Sequence, residues 1–214
     1  MCNIEATNVS KCVPLILHGD DAESHRRRSF MICSFASLLV KGSSPWESRL
    51  LCYCLDSSKT CDETLNTMDS WMVWSLVELM SGRYLDKGPW GETVPSRKGL
   101  EGKELAGGWR AVLCAHRGDE KYLAKAYHIG VSWLSQQVCW TCKASRMSTS
   151  SLLYTHFGPN AQHRTTFLTT SDFIQLCKPN PWVRLPGWHV DVMTYDLLHV
   201  FDLTLVPDAA ASVS

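Results

Sequence analysis

The chain has no net charge: 21 basic residues balance 21 acidic ones over 214 positions. No global field therefore draws it to nucleic acid, and any contact with a polyanion must be local. Nor does any apolar run approach the roughly 18 residues that span a bilayer, which argues against a membrane partner. No apolar signal segment follows Met1, so an intracellular setting is expected. Compact basic patches are scarce as well. Only His25 to Arg28 forms one, and Arg26, Arg27 and Arg28 read either as a solvated turn or as phosphate contacts.

What the chain does have is cysteine and tryptophan, ten and nine residues respectively. Cys33, Cys52, Cys54 and Cys114 sit inside apolar runs, where thiols behave as small buried hydrophobes rather than as a disulfide framework. The tryptophans point to a bulky core. Strand patterns fall at 13–18 (VPLILH), 29–36 (SFMICSFA) and 49–55 (RLLCYCL), with turn chemistry at 41–45, so an antiparallel meander is expected. Thr60 and Glu63 fit a capping box. Behind it Leu65, Met68, Met72, Leu76 and Leu79 share one helical face, and Gly82 supplies the stop. Residues 83–108 read as a long surface loop. A fourth strand runs through 111–115 to Arg117-Gly118, and a two-turn helix from Glu120 to His128 closes at Gly130.

Two of these strands end in acid. Asp20 follows His18-Gly19, and Asp119 follows Arg117-Gly118. A carboxylate at the tip of a buried strand is held by the sheet and open to solvent, and two of them suit Mg²⁺ or Mn²⁺, hard ions that take oxygen ligands. Ordinary turn aspartates are the alternative. Two-metal phosphodiester cleavage also demands a third acid. Cys139 and Cys142 form a lone CxxC; a structural zinc would need two further ligands from among His156, His163, Cys177, His189 and His199, and unliganded thiols are the other reading. Asp196 and His199, three residues apart, would share a helical face.

The run LHGDDAESHRRRSFMICSFASLL, then GWRAVLCAHRGDEKYLAKAYHI, CWTC and HVDVMTYDLLHVFDL, together resemble the RNase H-like core of transposase-derived proteins of the CACTA (CMC) superfamily, of the kind abundant in dinoflagellate genomes. The resemblance spans about residues 13–206, and it rests on the order of short motifs. It implies a first metal-binding aspartate at Asp20, a second at Asp119, the cysteine pair at Cys139 and Cys142, and a late D-x-x-H motif at Asp196 and His199. The chain departs from that pattern where Thr204 replaces a glycine, and where it stops at Ser214 instead of continuing to a final acid. Asp191, Asp202 and Asp208 are near, but none occupies a position that argues a replacement.

The expected fold is therefore α/β, an RNase H-like mixed sheet in the order β-β-β-α-β-α with the first strand beside the fourth. The expected divisions are a disordered 1–12, an RNase H-like core over 13–135, a loop-rich CxxC segment over 136–190 in which zinc and unliganded thiols stay open as alternatives, and a C-terminal D-x-x-H segment and tail over 191–214. The expected function is that of a truncated DDE transposase fragment, ancestrally a metal-dependent enzyme of DNA cleavage and transfer, nuclear and inactive alone. A non-catalytic scaffold and a zinc-stabilised regulatory module are the rivals.

Overall fold

Leu15, Leu17 and Gly19 are buried while Ile16, His18 and Asp20 between them are half-buried, the period-two pattern of a strand with one covered face. This strand, β1 (Cys12–Ser24), is the centre of a five-stranded mixed sheet in the computed structural model, which describes residues 10–24, 28–41, 44–132 and 134–195. The sheet belongs to an α/β chain. β2 (Arg28–Ser37) pairs antiparallel with β1, and β3 (Arg49–Asp56) pairs antiparallel with β2. A single helical turn, α1 (Pro45–Ser48), precedes β3, and the long helix α2 (Asp62–Ser81) follows it. β4 (Arg110–Gly118) returns parallel to β1, α3 (Glu120–Ala126) follows at once, and after α4 (Thr170–Leu176) the short β5 (Met193–Tyr195) adds parallel to β4. The sheet order is β3-β2-β1-β4-β5, so the expected meander and the adjacency of the first and fourth strands are both present.

One face of this sheet carries the core. Leu15, Leu17, Met31, Cys33, Tyr53 and Leu113 project from the strands onto Leu65, Val73 and Leu76 of α2 and onto Tyr122, Leu123 and Ala126 of α3. The stretch that loses periodicity in the sequence fills out the same cluster, with Trp140, Phe173, Trp182 and Trp188 buried in it. Full burial of each such ring is worth about 2 kcal/mol or more. The loop-rich stretch is thus packed as part of the core.

Several boundaries differ from the expectation. β1 does not stop at His18 but runs to Ser24, because β2 pairs with it down to Ser24↔Arg28; Asp20 lies inside a strand rather than after one. The helix cap is Cys61, not Thr60, whose hydroxyl donates to the Ser57 carbonyl at 3.0 Å and is engaged in the preceding turn. Gly82, at φ 67°, ends α2 as expected. α3 ends earlier than Gly130: His128 takes the left-handed position at φ 52°, and Ile129 N–H bonds back to the Ala124 carbonyl at 2.9 Å. Residues 193–195 form a strand; residues 196–214 lie outside the described residues, as do 1–9. Cys12 already opens β1. No helix among the described residues is long and apolar enough to cross a membrane.

Candidate functional site

The β1–β4 ladder ends at Gly19↔Gly118, and each glycine is followed by an aspartate, Asp20 and Asp119. The two backbones leave the ladder side by side, at the strand spacing of about 4.8 Å. Glycine is required at both positions. A Cβ on Gly19 would lie 1.9 Å from the Tyr122 ring, and one on Gly118 would lie 2.6 Å from that ring and 2.9 Å from the Gly19 carbonyl oxygen. Tyr122 therefore presses directly on the two strands just before their acids.

The two aspartates have different surroundings. Gly19 faces α3, so by alternation Asp20 stands on the opposite face of the sheet, beside Ile32 of β2 and on the side of His18, Ser34 and Arg117. Asp119 is the N-cap of α3, its Oδ1 accepting from Tyr122 N–H at 2.6 Å. Capping takes up that oxygen and is worth about 1 kcal/mol. The sequence predicts the pair, and the register brings the backbones together; what it does not predict is that one member also holds a helix.

The acid that residue types alone pass over is Asp21. It points to the helix face, its side chain is 2 % exposed, and it meets Lys121 Nζ at 2.7 Å and Lys125 Nζ at 3.1 Å. Ser29 also donates to it, as does Ser57 at 3.1 Å. Burial alone would raise its pKa, but the hydrogen bonds from Lys121, Ser29 and Lys125 outweigh burial and hold the carboxyl well below the usual carboxylate range. Counting in twos from the buried Leu15 and Leu17 marks Asp21, not Asp20, as the inward acid.

A second polar cluster runs through the core. His116, 0 % exposed, lies between Tyr127 Oη, 3.0 Å from Nδ1, and Tyr122 Oη, 3.2 Å from Nε2. Tyr122 Oη meets Tyr53 Oη at 3.4 Å, Tyr53 donates to Asp69 Oδ1 at 3.3 Å, and Trp188 Nε1–H donates to Tyr127 at 3.3 Å. Burial, with a smaller contribution from His18, pushes the His116 imidazole down to about 3. Burial lifts the Asp69 carboxyl to about 7, against lowering contributions from Trp182 and Tyr53. The chain ends at Asp69, whose Oδ2 is buried with no hydrogen-bond partner among the described residues, and it runs among buried aromatic groups of the core.

Of the remaining expected site residues, Arg26 and Arg27 lie outside the described residues, and Arg28 opens β2 opposite Ser24. Cys139 Sγ meets Thr141 Oγ1 at 3.0 Å and accepts from Thr141 N–H at 3.3 Å, while Gln137 Nε2 donates to the carbonyls of both Cys139 and Cys142. Burial raises the Cys142 thiol, and neighbouring Cys139 adds to the rise. Asp196 and His199 lie outside the described residues. Among the described residues no group of three or more His, Cys, Asp or Glu side chains could hold a metal ion. No protein-family model, curated protein or solved structure matches the chain.

Proposed function

We propose that the chain is an RNase H-like domain of DDE-transposase descent, of the CACTA type, in which Asp20 and Asp119 form the remnant of a site for Mg²⁺ or Mn²⁺ that served DNA strand cleavage and transfer. The observation that carries this is the Gly19↔Gly118 register, which sets two Gly-Asp steps side by side at the end of a parallel ladder. The succession of three antiparallel strands, a helix, a parallel strand against β1 and a helix supports it. The donor chemistry of paired carboxylates fits a hard divalent ion, with the pair supplying part of its shell. Bound there, such an ion would supply charge stabilisation for a phosphodiester oxygen. Asp20 contributes a carboxylate held by the β1–β2 ladder; Asp119 contributes one fixed by its own helix cap. With no third acid beside them among the described residues, ion binding is weak and the domain alone is catalytically poor.

The test is a thermal melt with and without Mn²⁺ on the wild type, Asp20→Asn and Asp119→Asn. Asparagine caps helices as well as aspartate, so Asp119→Asn removes the charge and keeps α3. The expected result is a melting temperature that rises with Mn²⁺ in the wild type and in neither variant, since an ion that binds only the folded state stabilises it. A rise of equal size in all three proteins, or in none, would overturn the assignment. In the latter case a non-catalytic scaffold is the better description, as the commitment of Asp119 to its cap and of Asp21 to two lysines favours.

A further inference from the structure

A cleft of about 580 Å³ opens on the helix face of the sheet, between the first turns of α2 and the end of α3. Asp20 stands on the other face of β1, and neither Asp20 nor Asp119 lines this cleft. Its floor is apolar, built by Met31, Leu65 and Ile129, and its polar rim holds Lys125, His128, Lys178 and Asn66, with no acidic residue in the lining among the described residues. Behind the rim, one buried carboxylate, Asp21, is shared by two lysines, Lys121 and Lys125. The rim is therefore left with excess positive charge in a chain that is neutral as a whole.

Two further features set the rim apart from an incidental gap. His128 occupies the left-handed region at φ 52° where a glycine would cost nothing, and its Nδ1 is tied to the Pro179 carbonyl at 3.0 Å, which holds the ring at the mouth. Lys178 is solvent-exposed, and neither its ammonium nor the Asn66 amide makes a side-chain hydrogen bond among the described residues. The α2 N-terminus adds little, because Glu63 already sits in its first turn.

We infer that this cleft binds a phosphorylated small molecule of mononucleotide size, its phosphate at Lys178, Lys125 and Asn66 and its ring or chain on Met31, Leu65 and Ile129. A cleft of this size, with an apolar floor and a few convergent polar groups, has the ordinary anatomy of a small-ligand site. The cations supply charge-assisted hydrogen bonds to phosphate oxygens.

Calorimetry and thermal melts with AMP, ATP and inorganic phosphate as probes test this, with EDTA present so that the carboxylate pair stays silent. The nucleotides should bind and raise the melting temperature, and phosphate should do so less at equal concentration because it leaves the floor uncovered. Lys178→Glu and Asn66→Ala should each weaken nucleotide binding by about tenfold or more, while Asp119→Asn binds as the wild type does. Failure of the Mn²⁺ experiment would leave this result intact, and the reverse holds too. Absence of binding by any probe, affinity unchanged in Lys178→Glu, or Lys178-dependent binding of a single-stranded oligonucleotide without any nucleotide binding would each overturn the proposal.

Discussion

At the scale of single residues, two buried titratable groups pull the pH dependence of stability in opposite directions. Asp69 titrates at about 7 in the folded chain against 3.8 as its ordinary value. Between these values the folded state holds more proton than the unfolded, so stability falls as pH rises, by up to about 1.4 kcal/mol per pH unit. His116 titrates at about 3 against an ordinary 6.5. There the unfolded state holds more proton, so stability rises with pH by a similar slope and is complete above 6.5. The slopes oppose one another between 3.8 and 6.5, and the wild type should be close to level across that window. Asp69→Asn removes the falling contribution and keeps an acceptor for Tyr53. Urea melts of this variant at several pH values should show stability climbing by about 1.4 kcal/mol per unit from pH ~4 to pH ~6.5. Curves that run parallel to the wild type would show that the two groups do not titrate as their burial dictates.

At the scale of elements, the junction of β1, β4 and α3 depends on two missing side chains. Gly19→Ala would drive a methyl into the Tyr122 ring, 1.9 Å away, and Tyr122 is fully buried with its hydroxyl bonded to His116 and Tyr53. The ring has nowhere to go. A loss of about 3 kcal/mol is expected by urea denaturation, with Lys121 and Lys125 displaced from Asp21 as α3 lifts; a cost under about 0.5 kcal/mol would mean that the helix packs elsewhere. The same junction shows what sequence can reveal. Strands 13–18 and 29–36 and the helix ending at Gly82 are legible because each buries a periodic apolar face, whereas 49–55 buries only Tyr53 and is legible from its apolar run alone. β5 is not, since three residues, Met193–Tyr195, carry no period and owe their strand to β4 alone. α4 carried a signal that periodicity misses: Thr169 and Asp172 form a reciprocal capping box. Likewise the Asp20-Asp21 doublet reads as a turn by composition, whereas its place in β1 is set by ten pairs with β2, a long-range contact that local residues do not encode.

At the scale of the whole molecule, a one-sided sheet leaves an edge exposed. Among the described residues β3 pairs only with β2. At the end where these strands meet, Leu38, Leu39, Val40, Leu50 and Leu51 are 47 % to 64 % exposed. Five aliphatic side chains beside an open row of backbone donors and acceptors form a template for another strand, and natural edges usually carry a lysine or a proline to prevent such pairing. β3 carries neither past Arg49. Charge offers no protection either, because the chain is neutral with a pI near 7.1, where mutual repulsion vanishes. Concentration-dependent self-association through β3 is therefore expected at neutral pH. Leu51 pairs opposite Ser34, on the face away from α2, so Leu51→Lys charges the edge without entering the core. Light scattering coupled to gel filtration should find Leu51→Lys monomeric at concentrations where the wild type is not. Gln175→Lys, which adds the same charge on exposed α4, should associate like the wild type. If both lysines dissolve the assembly equally, net charge governs association and the edge does not; if only Leu51→Lys does, the contact runs along β3.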